Sequence, residues 1–158
     1  MMNSPHDKFK FNQLMPTYLK ELSQLSIDKF DEKYLATPEV TEKIRKEVKR
    51  SELKKKIEIF FEEKEAERFR CFVNNLHEHN KSPIYIWTER SNTCGIYEIS
   101  SVIRFNFGFP FTVNHEGVIV LMAKNLTDEM ILDFYDDFDK KKKLEIELFG
   151  PNWSNVNY

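Results

Sequence analysis

Between Leu132 and Leu148 the chain changes polarity at almost every step. Leu132 and Phe134 alternate with Asp133 and Tyr135, and Leu144, Ile146 and Leu148 alternate with Glu145 and Glu147. A period of two sends successive side chains to opposite sides of an extended backbone, so both segments are strands with one buried face and one polar face. Gly117–Ala123 is an equally β-branched run, joined to Met130–Tyr135 by the turn-forming Lys124-Asn125-Leu126-Thr127-Asp128. Asp136 to Lys143 joins the second run to Leu144–Phe149. Three strands with short links make an antiparallel meander.

Other extended segments precede the meander. After Ser82-Pro83, Ile84-Tyr85-Ile86-Trp87 is rich in the residues that favour strands, and Arg90-Ser91-Asn92 follows it as a turn. Cys94 to Ile99 is predicted to be a second strand and Arg104 to Phe107 a short extended piece. The Phe-rich stretch Phe105 to Phe111 reads as a loop folded over the core.

The first half has helical spacing. Leu14, Tyr18, Leu22 and Leu25 predict a helix from Asn12 to Leu25 with Pro16 in its first turn, and Ser26 caps a second small helix carrying Ile27, Phe30 and Tyr34. Thr37-Pro38-Glu39 combines a capping hydroxyl, a first-turn proline and an acid, and predicts the start of a long helix running to His79 with a break near Ser51. Helices before a mostly antiparallel sheet define the α+β class. The expected organisation is a single domain over 1–158, helical over about 12–80 and sheet over about 84–153.

Composition narrows the chemistry. The two cysteines, Cys71 and Cys94, have no paired spacing, which fits a reduced, cytoplasmic chain. No apolar leader and no run of about 18 apolar residues is present, so no membrane association is expected. With only 4 Gly in 158 residues there is no P-loop and no G-x-G-x-x-G, and no cofactor is expected. His77 and His79, near Cys71 and Glu78, lie two apart, which on a helix turns them about 200° from one another and away from a shared metal. Cys94 with His115 and Glu116 would be needed for a thiol nucleophile, a combination without a supporting motif. Asp133, Glu145 and Glu147 could hold a divalent cation on neighbouring strands, as restriction-type nucleases do. The lysine such enzymes place two residues after the second acid is Glu147 here.

The charge distribution points to a partner instead. Residues 1–82 carry 17 Lys and Arg against 15 Asp and Glu, and residues 83–158 carry 7 against 11. Asp128, Glu129, Asp133, Asp136, Asp137 and Asp139 fall in one stretch that contains no Lys or Arg. With Tyr135 and Phe138 as aromatic anchors, they form the candidate partner-binding set, a surface able to steer a cationic protein. Trp87 and Trp153 are further anchor candidates, and packing against a helix is the plainer role for both.

The run Ile86-Trp87-Thr88, then Cys94-Gly95-Ile96-Tyr97-Glu98-Ile99, Phe105-Asn106-Phe107 with Phe109-Pro110-Phe111, then Gly117 to Leu121, Leu132-Asp133-Phe134, and finally Glu145-Ile146-Glu147-Leu148 with Gly150-Pro151-Asn152-Trp153, resembles bacterial immunity proteins. Those are small cytosolic proteins encoded beside polymorphic and contact-dependent growth-inhibition toxins. The likeness covers about residues 84–153. It implies a non-enzymatic antitoxin that binds a cognate toxin domain, often a basic nuclease, and occludes its active site or substrate cleft without touching nucleic acid itself. A generic interaction or adaptor domain and a metal-dependent nuclease are the other readings the residues leave open.

Overall fold

The computed structural model describes residues 4–158. Among them are helices α1 (Pro5–Leu25), α2 (Pro38–Glu47), α3 (Glu67–His79) and the one-turn α4 (Ser91–Cys94). The strands are β1 (Lys54–Phe60), β2 (Ile84–Trp87), β3 (Tyr97–Ile99), β4 (Val118–Ala123), β5 (Glu129–Asp136) and β6 (Lys142–Phe149). They form one antiparallel sheet in the order β1-β6-β5-β4-β2-β3, and the class is α+β.

Register explains the burial. Ile59 pairs with Leu144, Leu144 with Phe134, Leu132 with Ile119, Leu121 with Ile86 and Ile86 with Tyr97, so one face of the sheet is apolar across its whole width. Against it pack Tyr18, Leu22 and Leu25 of α1 and Phe69, Phe72, Val73 and Leu76 of α3, in one core cluster reaching to Val156. Each fully buried side chain of this size contributes about 1.5–3 kcal/mol of transfer free energy. Phe61, Phe105, Phe107, Phe109, Phe111 and Phe134 form an edge-to-face network under the sheet end, with Phe105 to Phe111 folded over the core as the sequence predicts.

The helical first half differs from its sequence reading. The helix opened by Thr37, whose Oγ1 accepts from the Val40 N–H at 3.2 Å, ends at Glu47. Lys54–Phe60 is the edge strand β1 paired with β6, so the sheet takes a strand from inside the supposed long helix. Helix α1 begins at Pro5 behind Ser4, whose Oγ accepts from the Asp7 N–H, and Pro16 therefore lies inside it on an exposed side. Ser26 opens no second helix: it is the C-cap of α1, its N–H donating to the Leu22 carbonyl, it bridges to Phe105, and a single 3-10 turn, Glu32–Tyr34, follows before α2. Ser91–Cys94 is a helical turn closed by Gly95, leaving β3 shorter than the predicted strand. The 3-10 turn Val102–Arg104 takes the first residue of the extended piece predicted over Arg104–Phe107, and within the rest only Phe105 pairs, in one antiparallel bridge to Ser26.

Candidate functional site

The second face of the sheet is built from the polar positions of the same alternation. Across its middle, Trp87, Val120, Ile131, Glu147 and Lys56 stand in one row of paired residues. The neighbouring row is Val118, Asp133, Glu145 and Glu58, and the next pairs Tyr135 with Lys143 and Phe60. These side chains are part-exposed or exposed. The face is thus an apolar strip on β2, β4 and β5 grading into a carboxylate cluster on β5, β6 and β1.

Two lysines partly offset the cluster. Lys56 Nζ lies 3.1 Å from a Glu145 carboxylate oxygen, and Lys143 Nζ 3.9 Å from Glu58. Asp133 and Glu147 belong to no ion pair among the described residues. Partial burial lifts the Asp133 carboxyl above the usual range, and Glu145 and Glu147 alongside push it the same way. Such crowding stores electrostatic free energy that an arriving cation would release.

At one end of the strip, Val48 and Arg50 reach over the sheet and enclose a hollow of about 240 Å³ with Trp87, Val120 and Met122. At the other end the β5–β6 hairpin projects. Asp137 shapes its tip, its Oδ1 accepting from the N–H groups of Asp139 and Lys141 at 2.9 Å each. Phe138 is carried at that tip with its side chain wholly in solvent. Beside the hairpin, a groove of about 710 Å³ runs between α1 and the 111–117 loop, with Lys20, Arg90, His115, Tyr135 and Asp136 on its walls.

The structure brings together only part of the acidic set named from sequence. Asp133 and Tyr135 lie on the open face, and Asp137, Phe138 and Asp139 lie at the hairpin tip beside it; Asp136 shares the side of Phe134, pairs with Lys142 at 3.6 Å and lines the groove against α1. Asp128 and Glu129 do not: they are 2% and 5% exposed. Asp128 accepts from Asn80 Nδ2, Thr127 Oγ1, the Asn152 backbone and side chain, and the Trp153 N–H. Burial alone would raise its carboxyl, but these donors outweigh it and hold the group below the usual carboxylate range. Glu129 is bound by Arg50 at 2.6 Å. Trp153 is fully buried and donates its indole N–H to the Leu76 carbonyl, so it anchors α3 and no partner.

Glu58 and Lys56 fall outside the acidic set predicted from sequence because the apolar spacing of residues 53–61 also fits a helix. The period-two spacing of Ile57, Ile59 and Phe61 was the available signal.

The chemical alternatives fare differently. Asp133 and Glu145 face one another across β5 and β6, yet among the described residues no three His, Cys, Asp or Glu side chains converge on a point where a metal could sit. Cys94 is buried, and burial pushes its thiol up to about 11, the opposite of nucleophile activation. Among the described residues no helix is long and apolar enough to cross a membrane.

The fold and face define an α+β protein with one helix-covered and one open sheet surface. Comparison with protein-family models, curated proteins and solved structures finds no match to this chain.

Proposed function

We propose that this protein is an immunity protein that neutralises a cognate toxin domain, with the open sheet face as its docking surface. One observation carries the reading: an apolar strip from Trp87 through Val120 to Ile131 borders Asp133, Glu145, Glu147 and Glu58 on the sheet face opposite α1 and α3, where these side chains are part-exposed or exposed. Buried apolar contact supplies affinity, and surrounding carboxylates speed encounter with a basic partner and fix its orientation. Phe138 at the hairpin tip adds an aromatic anchor able to enter a pocket on that partner. The similarity of residues 84–153 to immunity proteins names the partner class, a basic and nuclease-like toxin whose substrate cleft the acidic face would fill.

The experiment is purification from the native operon, followed by affinity measurement with the retained protein. Reversal of Asp133 and Glu147 to Lys should weaken binding by about a hundredfold and flatten its salt dependence. Unchanged affinity in that double variant would sink the acidic-face mechanism.

A further inference from the structure

The two edges of the sheet are treated differently. Beside β3, the Ala36 N–H donates to the Ile96 carbonyl at 2.9 Å and Leu35 bridges to Tyr97, so that edge is closed by the chain itself. Among the described residues nothing comparable closes the β1 edge. Gly150 donates to the Leu53 carbonyl, which sets the odd positions of β1 toward β6 and aims the N–H and C=O groups of Lys54, Lys56 and Glu58 outward. Outside the β1–β6 ladder, no partner among the described residues reaches these groups. The outward N–H of Phe60 is the exception, donating to Glu63 Oε2 at 2.7 Å.

An open edge is usually blunted by lysines free to solvate it. Here two of the three lysines of β1 are tied into their own chain. Lys55 donates to the Val156 carbonyl and Asn157 Oδ1, and Lys56 pairs with Glu145. Leu53 and Phe60 leave apolar surface at either end of the strand, 57% and 38% exposed.

We propose that this edge pairs with the β1 edge of a second copy of the chain, antiparallel about a two-fold axis at Ile57. Strand residues Lys54 to Phe60 complement themselves in that register. Lys56 faces Glu58 of the other copy twice over, as hydrogen-bonded pairs, while Ile57 meets Ile57 and Lys54 meets the Phe60 ring. Phe60 already receives one ammonium in this way, from Lys143 at 3.9 Å to the ring centroid. Sliding the strands by two residues sets Glu58 against Glu58, or Lys56 against Lys56, so charge selects one register. The axis stands perpendicular to the sheet, which places both open faces on one side of a continuous two-chain sheet.

Sedimentation of the full chain from micromolar to millimolar concentration tests the association, and two variants test its geometry. Glu58→Pro removes an outward N–H that β6 does not use, and should weaken dimerisation by about tenfold or more with the circular dichroism spectrum retained. In a Cys71→Ser background, Ile57→Cys should form an intermolecular disulfide on oxidation, because directly opposed residues of a non-hydrogen-bonded pair lie within disulfide reach. Glu58→Cys should not, since it faces Lys56. A monomer at all concentrations, or crosslinking through Glu58→Cys in preference to Ile57→Cys, would overturn the proposal.

Discussion

Asp128 closes two turns at once. Its carboxylate gathers donors from the β4–β5 link and from the Asn152–Trp153 segment after β6, while Gly150, at φ +113°, passes so close that a Cβ there would strike Thr127 O and Asp128. Asp128→Ala would strand buried donors and release Trp153 from its slot. The expected loss is about 3 kcal/mol of unfolding free energy, read by denaturant titration, with partner affinity per folded molecule unchanged. Lys64 shows the opposite economy. Its ammonium donates to the Phe109 carbonyl at 2.9 Å and lies over the Phe61 and Phe109 rings, and burial pulls it from 10.5 down to about 8. A depressed amine opposes folding fully below its folded-state value, and the opposition fades as pH climbs from about 8 toward 10.5. Lys64→Met should therefore stabilise most below pH 8 and progressively less above it, in unfolding curves across that range. Neither role was visible in the chain: Asp128 looks like its acidic neighbours, and Lys64 like one charge among many on a helix.

Where the pattern spans one element with one period, it read correctly. Strands β2, β4, β5 and β6 fall within two residues of their predicted bounds, and Thr37-Pro38 marks the start of α2. Strand β1 was lost because Leu53, Ile57 and Phe61 also recur every four residues, and because its partner β6 lies near the other end of the chain. Edge strands rich in Lys and Glu imitate a solvated helix face, and only the missing pairing partner decides between them. The open face is incomplete without it, since Glu58 completes its acidic margin and Lys56 partly offsets it. The β5–β6 hairpin can be tested as a unit. Phe138 contacts nothing, so Phe138→Ser should shift stability by less than about 0.5 kcal/mol. Removal of an aromatic anchor should nonetheless weaken partner binding by about tenfold or more. A binding isotherm and a melting curve on the same protein separate the two effects.

Across the whole molecule, the division of labour follows from the sheet. One face holds α1, α3 and the Phe network in a single core. The other face keeps carboxylates crowded beside exposed apolar surface, an arrangement that costs the isolated protein stability and that a basic partner would relieve. Recovery of the protein with its native partner, with affinity measured as salt is raised, addresses this most directly. The account expects one basic, toxin-like domain whose dissociation constant rises steeply with salt, and whose binding Asp133→Lys with Glu147→Lys weakens by about a hundredfold. A partner bound equally well at all salt concentrations and by the reversed face, or no retained partner, would contradict it.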